Sequence, residues 1–243
     1  MIRQARFAKS IRFFKEGFLN RWGLTDYSNN QESCIFVGIY RSEDVDVVNN
    51  HKGFKLIWNT GRIRDCFKNI DPINVVVMEN TIDCELIKGL YKIKRANIEI
   101  KDFSLFKLSE LGNKVYCYLG NAKGKFVMGF DLMKEVEKEI KYEIIQGFQG
   151  NTIEFVRDNI YNECFVNLKP NLTGGITSAV ELALMGRRTI SNTIAPFCMG
   201  YKSVEDIVRI INEESKKIGI IQASKLGNYF DTGEEWREEK FWL

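Results

Sequence analysis

The sequence predicts an α/β protein built from two successive series of parallel βα units. Three observations predict it. Short apolar runs lack polar alternation, as in strands buried on both faces. Charged segments of helical period separate those runs, and this alternation restarts after a charged, glycine-bearing stretch at residues 109–114. The expected domains are therefore 1–112 and 113–243.

The first series opens after a polar stretch at 26–32. Cys34-Ile35-Phe36-Val37-Gly38-Ile39-Tyr40 is an apolar run suited to a buried strand, and Ser42-Glu43-Asp44 opens a short helix. Further strands are expected at 54–58, 74–78 and 97–100, with a helix near 83–91. In the second series, strands are expected at 115–120, 142–146, 164–168 and 188–191. Helices are expected between and after them, at 128–140, 152–159, 177–185 and 204–217. The tail, 233–243, is acidic but ends in Trp236, Phe241 and Trp242, and burying such rings is worth roughly 1.5–3 kcal/mol each. It is expected to pack rather than fray, and to turn back toward the first domain.

The chain of 243 residues is 44% hydrophobic and 28% charged, with three prolines and 19 glycines, which excludes disordered and fibrous classes. It contains no apolar run of 18 residues, and its N-terminus lacks the apolar core and cleavage site of a secretory signal. A cytoplasmic location is expected. The six cysteines contain no C-x-x-C pair and one histidine, His51, accompanies them, so buried reduced thiols are expected rather than a metal site. Residues 1–21 carry six cations against Glu16 alone, a balance of +5 within a total of +3. The rest of the chain is slightly acidic, which argues against nucleic-acid binding. Phe7, Ile11, Phe14 and Phe18 recur at spacings of four, three and four. That spacing predicts a basic amphipathic helix over 1–21, suited to docking on the domain or a partner chain, or to lying on an anionic membrane surface.

The segment most informative about function runs from Cys164 to Asn192. It reads as a strand, a turn at Thr173-Gly174-Gly175-Ile176, a helix from Thr177, and another strand. A helix N-terminus leaves amides unpaired and carries partial positive charge, so such a turn suits a diphosphate. Gly174 and Gly175 lack the Cβ atoms that would keep phosphates off the backbone. Thr177 and Glu181, four apart, share a helical face, where a carboxylate is placed to accept hydrogen bonds from ribose hydroxyls.

This unit resembles the donor-binding motif of retaining glycosyltransferases of GT-B fold, especially glycosyltransferase family 4. Glu181 matches the second of that family's two glutamates, and Leu182-Ala183-Leu184-Met185-Gly186-Arg187-Arg188-Thr189-Ile190-Ser191 matches the family's helix end, glycine and next strand. Thr173 stands where the family has its first glutamate, which leaves the sugar and the stereochemical outcome open. Tyr118-Leu119-Gly120-Asn121-Ala122-Lys123-Gly124-Lys125 resembles the family's first nucleotide-domain strand and loop. The resemblance covers about residues 115–213. It implies two Rossmann-like domains facing a cleft, the N-terminal one short and holding the acceptor. It also implies a nucleotide-sugar as substrate, with no other cofactor and no metal. Gly120, Lys123, Lys125, Thr173, Gly174, Gly175, Ile176, Thr177 and Glu181 would contact the donor, with Glu181 and Lys125 catalytic.

The expected reaction transfers a sugar from a nucleoside diphosphate to a hydroxyl of a glycan, lipid or protein acceptor, metal-independent and with retention. The alternative is a catalytically silent GT-B-like binding subunit or scaffold acting through residues 1–21. An NAD enzyme is disfavoured because no G-x-G-x-x-G follows the first strand of either series. Asp44-Val45-Asp46 has the spacing of a metal-clamping D-x-D but opens a helix in the other half. His51 reads as packed or solvent-facing, and Asp65 as a lesser cleft carboxylate.

Overall fold

A computed structural model describes the chain except for residues 60–62, 80–86, 121–124, 126–127, 149, 171–175, 194, 225, 227–228 and 231–232, and the side chains at 79 and 148. It divides into two compact units, Met1–Asp102 with Asn228–Leu243, and Phe103–Gly227.

The first unit holds strands β1 (Gln4–Phe7), β2 (Thr25–Asp26), β3 (Cys34–Val37), β4 (Lys55–Trp58), β5 (Val75–Glu79) and β6 (Lys92–Arg95). They pair in the order β2-β1-β3-β4-β5-β6, every pair parallel. Helices α1 (Lys15–Trp22) and α2 (Ser42–Asn50) follow β1 and β3. All four residues of β3 and of β4 are buried, which is why β3, and β4 after its buried Lys55, read as continuous apolar runs. Phe36, Ile57 and Val77 face Val45 and Val48 of α2 together with Phe67.

The second unit holds β7 (Lys114–Gly120), β8 (Ile144–Phe148), β9 (Cys164–Leu168), β10 (Arg188–Ile190) and β11 (Cys198–Met199), in the order β11-β10-β9-β7-β8 and again all parallel. Its helices are α3 (Phe130–Glu139), the single turn α4 (Ile153–Val156) running into a π-helical turn at Arg157–Tyr161, α5 (Thr177–Leu184) and α6 (Val204–Ser215). Ser203 caps α6 by accepting from the Asp206 amide at 3.3 Å. Ile207, Ile210, Ile211 and Glu214 of α6 are buried at the spacing of one helical face, and the core joins α6 and α3 to Val115, Cys117, Val166 and Leu168.

Numbered within each unit, both sheets follow the order 2-1-3-4-5, and the first adds a sixth strand at one edge. This is a doubly wound arrangement, in which the chain leaves the two central strands in opposite directions.

Several expectations are corrected. Residues 1–21 do not form one helix: Gln4–Phe7 is a strand, a 3₁₀ segment follows at Lys9–Phe14, and only α1 is α-helical. The phenylalanine spacing mimics a helix because Phe7 on β1 and Phe18 on α1 meet edge to face at 5.4 Å. The strand expected at 97–100 lies instead at Lys92–Arg95, a lysine-rich edge strand. Of the helix expected near 83–91, residues 83–86 lie outside the described residues and 87–91 form a turn, with a bridge between Lys88 and Tyr91, rather than an α-helix. Residues 103–112 go with the second unit rather than the first, and the tail from 228 to 243 goes with the first.

Hydrogen bonds and packing explain that partition. The buried Arg187 donates to carbonyls of Ser109 and Glu110, and the Gly219 amide donates to Leu111. In the tail, Trp236 and Trp242 are fully buried, Trp236 meets Trp22 edge to face at 5.2 Å, and the Ile2 amide donates to the Arg237 carbonyl. A final short helix, α7 (Glu239–Trp242), ends the chain. Among the described residues no helix is long and apolar enough to cross a membrane.

Candidate functional site

In a doubly wound sheet, ligands bind outside the carboxyl ends of the strands, where the chain diverges between the first and third. In the second unit that point lies beyond Gly120 of β7 and Leu168 of β9. Gly129 and Pro170, each beyond the end of one of these strands, meet there. Gly129, at φ +87°, lies so close to Pro170 that a Cβ would stand 2.6 Å from the ring, and the Tyr201 hydroxyl donates to the Pro170 carbonyl at 2.5 Å.

Helix α5 begins at the same edge, from Ile176, with no side-chain cap and no acidic residue in its first turn. Among the described helices of eight or more residues, each of the others has an acidic residue in that turn. The amides opening α5 therefore meet no built-in carboxylate competing with an incoming anion.

The fold thus gathers Gly120, Ile176 and Thr177 at one edge. Thr173, Gly174, Gly175 and Lys123 lie outside the described residues. Lys125 is half-buried, with Nζ 4.2 Å from the centre of the Phe130 ring at the start of α3. Glu181, one turn into α5, is buried, and its Oε2 accepts from the Tyr161 hydroxyl at 2.6 Å. Tyr116 of β7 stacks edge to face on Tyr161 at 5.1 Å. Burial, then the Glu181 charge, raises both phenols above their ordinary range, so they remain neutral donors.

One residue escaped the sequence reading. Lys169, the first residue past β9, is buried at this edge, and desolvation lowers its ammonium to about 8. A lysine before a proline at a strand end ordinarily reads as surface. Only the strand order, placing β9 at the centre of the sheet, signals its burial.

The equivalent edge of the first unit is built differently. Asp44 Oδ2 accepts from the Tyr40 and Arg41 amides at 3.2 and 3.3 Å, and its Oδ1 pairs with Arg6 at 3.2 Å. The opening of α2 is thus filled by its own carboxylate, and Asp44 is a helix cap. Gly38, at φ +81°, leaves no room for a Cβ, which would stand 2.6 Å from the Tyr40 ring and 2.9 Å from Ile11. His51 is buried between Tyr27 and Phe36, and burial lowers its pKa. Asp65 is fully exposed, 3.8 Å from Lys68.

The basic excess of residues 1–21 is partly consumed within the unit. Arg6 pairs with Asp44, Lys15 with Asp26 and Arg21 with Glu99, so among the described residues Arg3, Lys9 and Arg12 are left outside ion pairs. The five described cysteines are free thiols, and no group of metal-ligating side chains assembles among the described residues.

No family model matches the chain, and no curated protein matches it. Among solved structures it is similar to a crystal structure of an α1,3-fucosyltransferase, with a TM-score of 0.47 and 11% identity over 96% of this chain and 90% of that one.

Proposed function

We propose that the second unit binds a nucleoside-diphosphate sugar at the carboxyl edge of β7 and β9, and that the protein transfers the sugar to a hydroxyl acceptor. The observation that supports this reading is the second unit's strand order, since ligands of doubly wound sheets bind at the edge where α5 here opens with no acidic residue in its first turn. A diphosphate suits those amides. Thr177 and Gly174-Gly175 lie next to it in sequence, and the role of Glu181 toward the ribose rests on the resemblance, its carboxylate being buried and held by Tyr161. The resemblance to GT-B enzymes motif by motif points to the same donor class. Retention and independence from metal belong to this proposal as the reaction course of that class. The acceptor is a glycan, lipid or protein hydroxyl, and catalysis rests on positioning and on charge stabilisation of the departing diphosphate.

The test uses the purified full chain. UDP, GDP, dTDP or ADP should raise its melting temperature, Glu181→Ala should remove most of that rise, and the matching nucleotide-sugar should be slowly hydrolysed. A melting temperature unmoved by all four nucleotides would dispose of the donor site. Binding without hydrolysis or transfer would instead favour a silent binding subunit.

A further inference from the structure

We propose that Lys169 is the cation that receives the donor's diphosphate and stabilises it as it departs. This rests on the donor site proposed above, and it assigns to β9 a task the sequence reading gave to Lys123 and Lys125 in the loop after β7.

Three observations converge on Lys169. It follows immediately on the central strand, its amide held by the Ile190 carbonyl of β10 at 3.0 Å, so its Cα is fixed by the sheet. A cation on a rigid strand end is positioned more sharply than one on a loop. The next residue, Pro170, is pinned by Tyr201 on one side and abuts Gly129 on the other. Gly129 and Pro170, which follow the two diverging strands, thus meet at this point.

The second observation is the face on which the lysine stands. The pleat turns residues two apart to the same side of a sheet. Asn167 lies beside Tyr116 in the register, Tyr116 packs on Tyr161, and Tyr161 binds Glu181 of α5. Lys169 is therefore on the side of α5, near the end where that helix presents its positive pole. The third observation is burial: the side chain is only 7% exposed, and desolvation lowers its pKa to about 8. An ammonium withdrawn from water beside a helix N-terminus is in an environment that a doubly charged anion improves for both.

In the transfer step, the bond between the anomeric carbon and the β-phosphate oxygen breaks with both electrons remaining on that oxygen. The acceptor oxygen forms the new bond to carbon and its proton passes to water. Lys169 keeps its proton throughout and offsets the charge gathering on the leaving diphosphate.

The experiment measures dissociation constants of the full chain for the nucleoside diphosphate it binds and for the corresponding nucleoside, in wild type, Lys169→Met and Lys169→Arg. Lys169→Met should weaken the diphosphate about tenfold or more and leave the nucleoside within about twofold. In wild type, diphosphate affinity should fall as pH rises from 7 to 9, because in the nucleotide-free chain the ammonium loses its proton near 8. That slope should vanish in both variants. The Cys198 thiol of β11, whose charge acts on Lys169, does not titrate in this window, because burial pushes it up to about 11, and the nucleotide's phosphates are largely ionised above about pH 7.

Equal weakening of diphosphate and nucleoside would make Lys169 a structural residue and overturn the assignment, as would unchanged diphosphate binding by Lys169→Met. A wild-type chain that binds no nucleoside diphosphate would overturn the donor site itself. The two failures are thus told apart.

Discussion

Replacing Arg187 by methionine should unfold the second unit selectively. Its guanidinium is fully buried and donates to five carbonyls: Cys164 and Ser109 at 3.1 Å, Glu110 at 2.5 Å, Asn162 at 3.5 Å, and Met185. It also donates to the Ser109 hydroxyl at 2.6 Å. Asn162 and Met185 directly follow the helical segments ending at Tyr161 and Leu184, where helix poles are negative and carbonyls need donors from outside the helix. Methionine fills similar volume but removes the guanidinium's bonds to the Ser109, Glu110 and Asn162 carbonyls, at about 1–3 kcal/mol each, while the Cys164 and Met185 carbonyls keep the Gly112 and Ser109 amides as donors. Relief from burying the charge, whose pKa desolvation lowers to about 10, offsets part of this loss. The net loss should be about 3–5 kcal/mol, the range found when one side of a buried charged network is removed.

The assay exploits the tryptophans. Trp22, Trp58, Trp236 and Trp242 all belong to the first unit, so tryptophan fluorescence follows that unit while far-UV circular dichroism follows both. At an m-value of about 2 kcal/mol/M, the second unit's dichroism transition should move down by roughly 1.5–2.5 M urea. A shift below about 0.5 M would refute the reasoning, since it would mean that the carbonyls find other donors.

Two buried charges should make stability rise with pH in two separate windows, one through a penalty that fades in alkali and the other through a stabilisation that is lost in acid. The fall in the Lys169 ammonium from its ordinary 10.5 to about 8 is a native-state penalty present in full below pH 8. It amounts to roughly 3 kcal/mol at most and fades as pH rises toward 10.5, where the unfolded chain also loses the proton. Lys169→Met should therefore be more stable than wild type at pH 7 by denaturant titration, with the advantage shrinking at pH 10. For Glu214, desolvation alone would raise the carboxyl, but the bonds from Arg188 and from Lys217 at 2.7 Å outweigh this and hold it below its ordinary range. Its contribution is complete above the ordinary carboxylate pKa and is lost as pH falls through the lowered one, so the acid limb of a stability profile should be shallower in Glu214→Gln than in wild type.

The central strands were legible because a parallel strand covered on both faces needs little besides apolar side chains: Cys34–Val37, Val75–Glu79 and Cys164–Leu168 announce themselves. Strand β1 did not, since Gln4 and Arg6 alternate with its apolar residues. Both have structural roles: Gln4 Oε1 accepts from the Ser28 and Asn29 amides, and Arg6 reaches Asp44. Edge strand β6 was misplaced by a few residues because three of its four residues are cationic and Lys92 and Arg95 are exposed, whereas Ile98 and Ile100 beyond it are buried without forming a strand. At the candidate site, the opening of α5 could be read from Thr177 onward. The burial of Lys169 and the partnership of Tyr161 with Glu181 could not, because each depends on which strands are neighbours and no local pattern encodes that.

Hydrogen exchange of backbone amides, with and without the nucleoside diphosphate that stabilises the chain, tests the central claim most directly. Slowed exchange should concentrate at residues 169–179, across the end of β9 and the first turn of α5. Slowing confined to residues 38–45, where Asp44 already caps α2, would contradict the placement of the donor in the second unit.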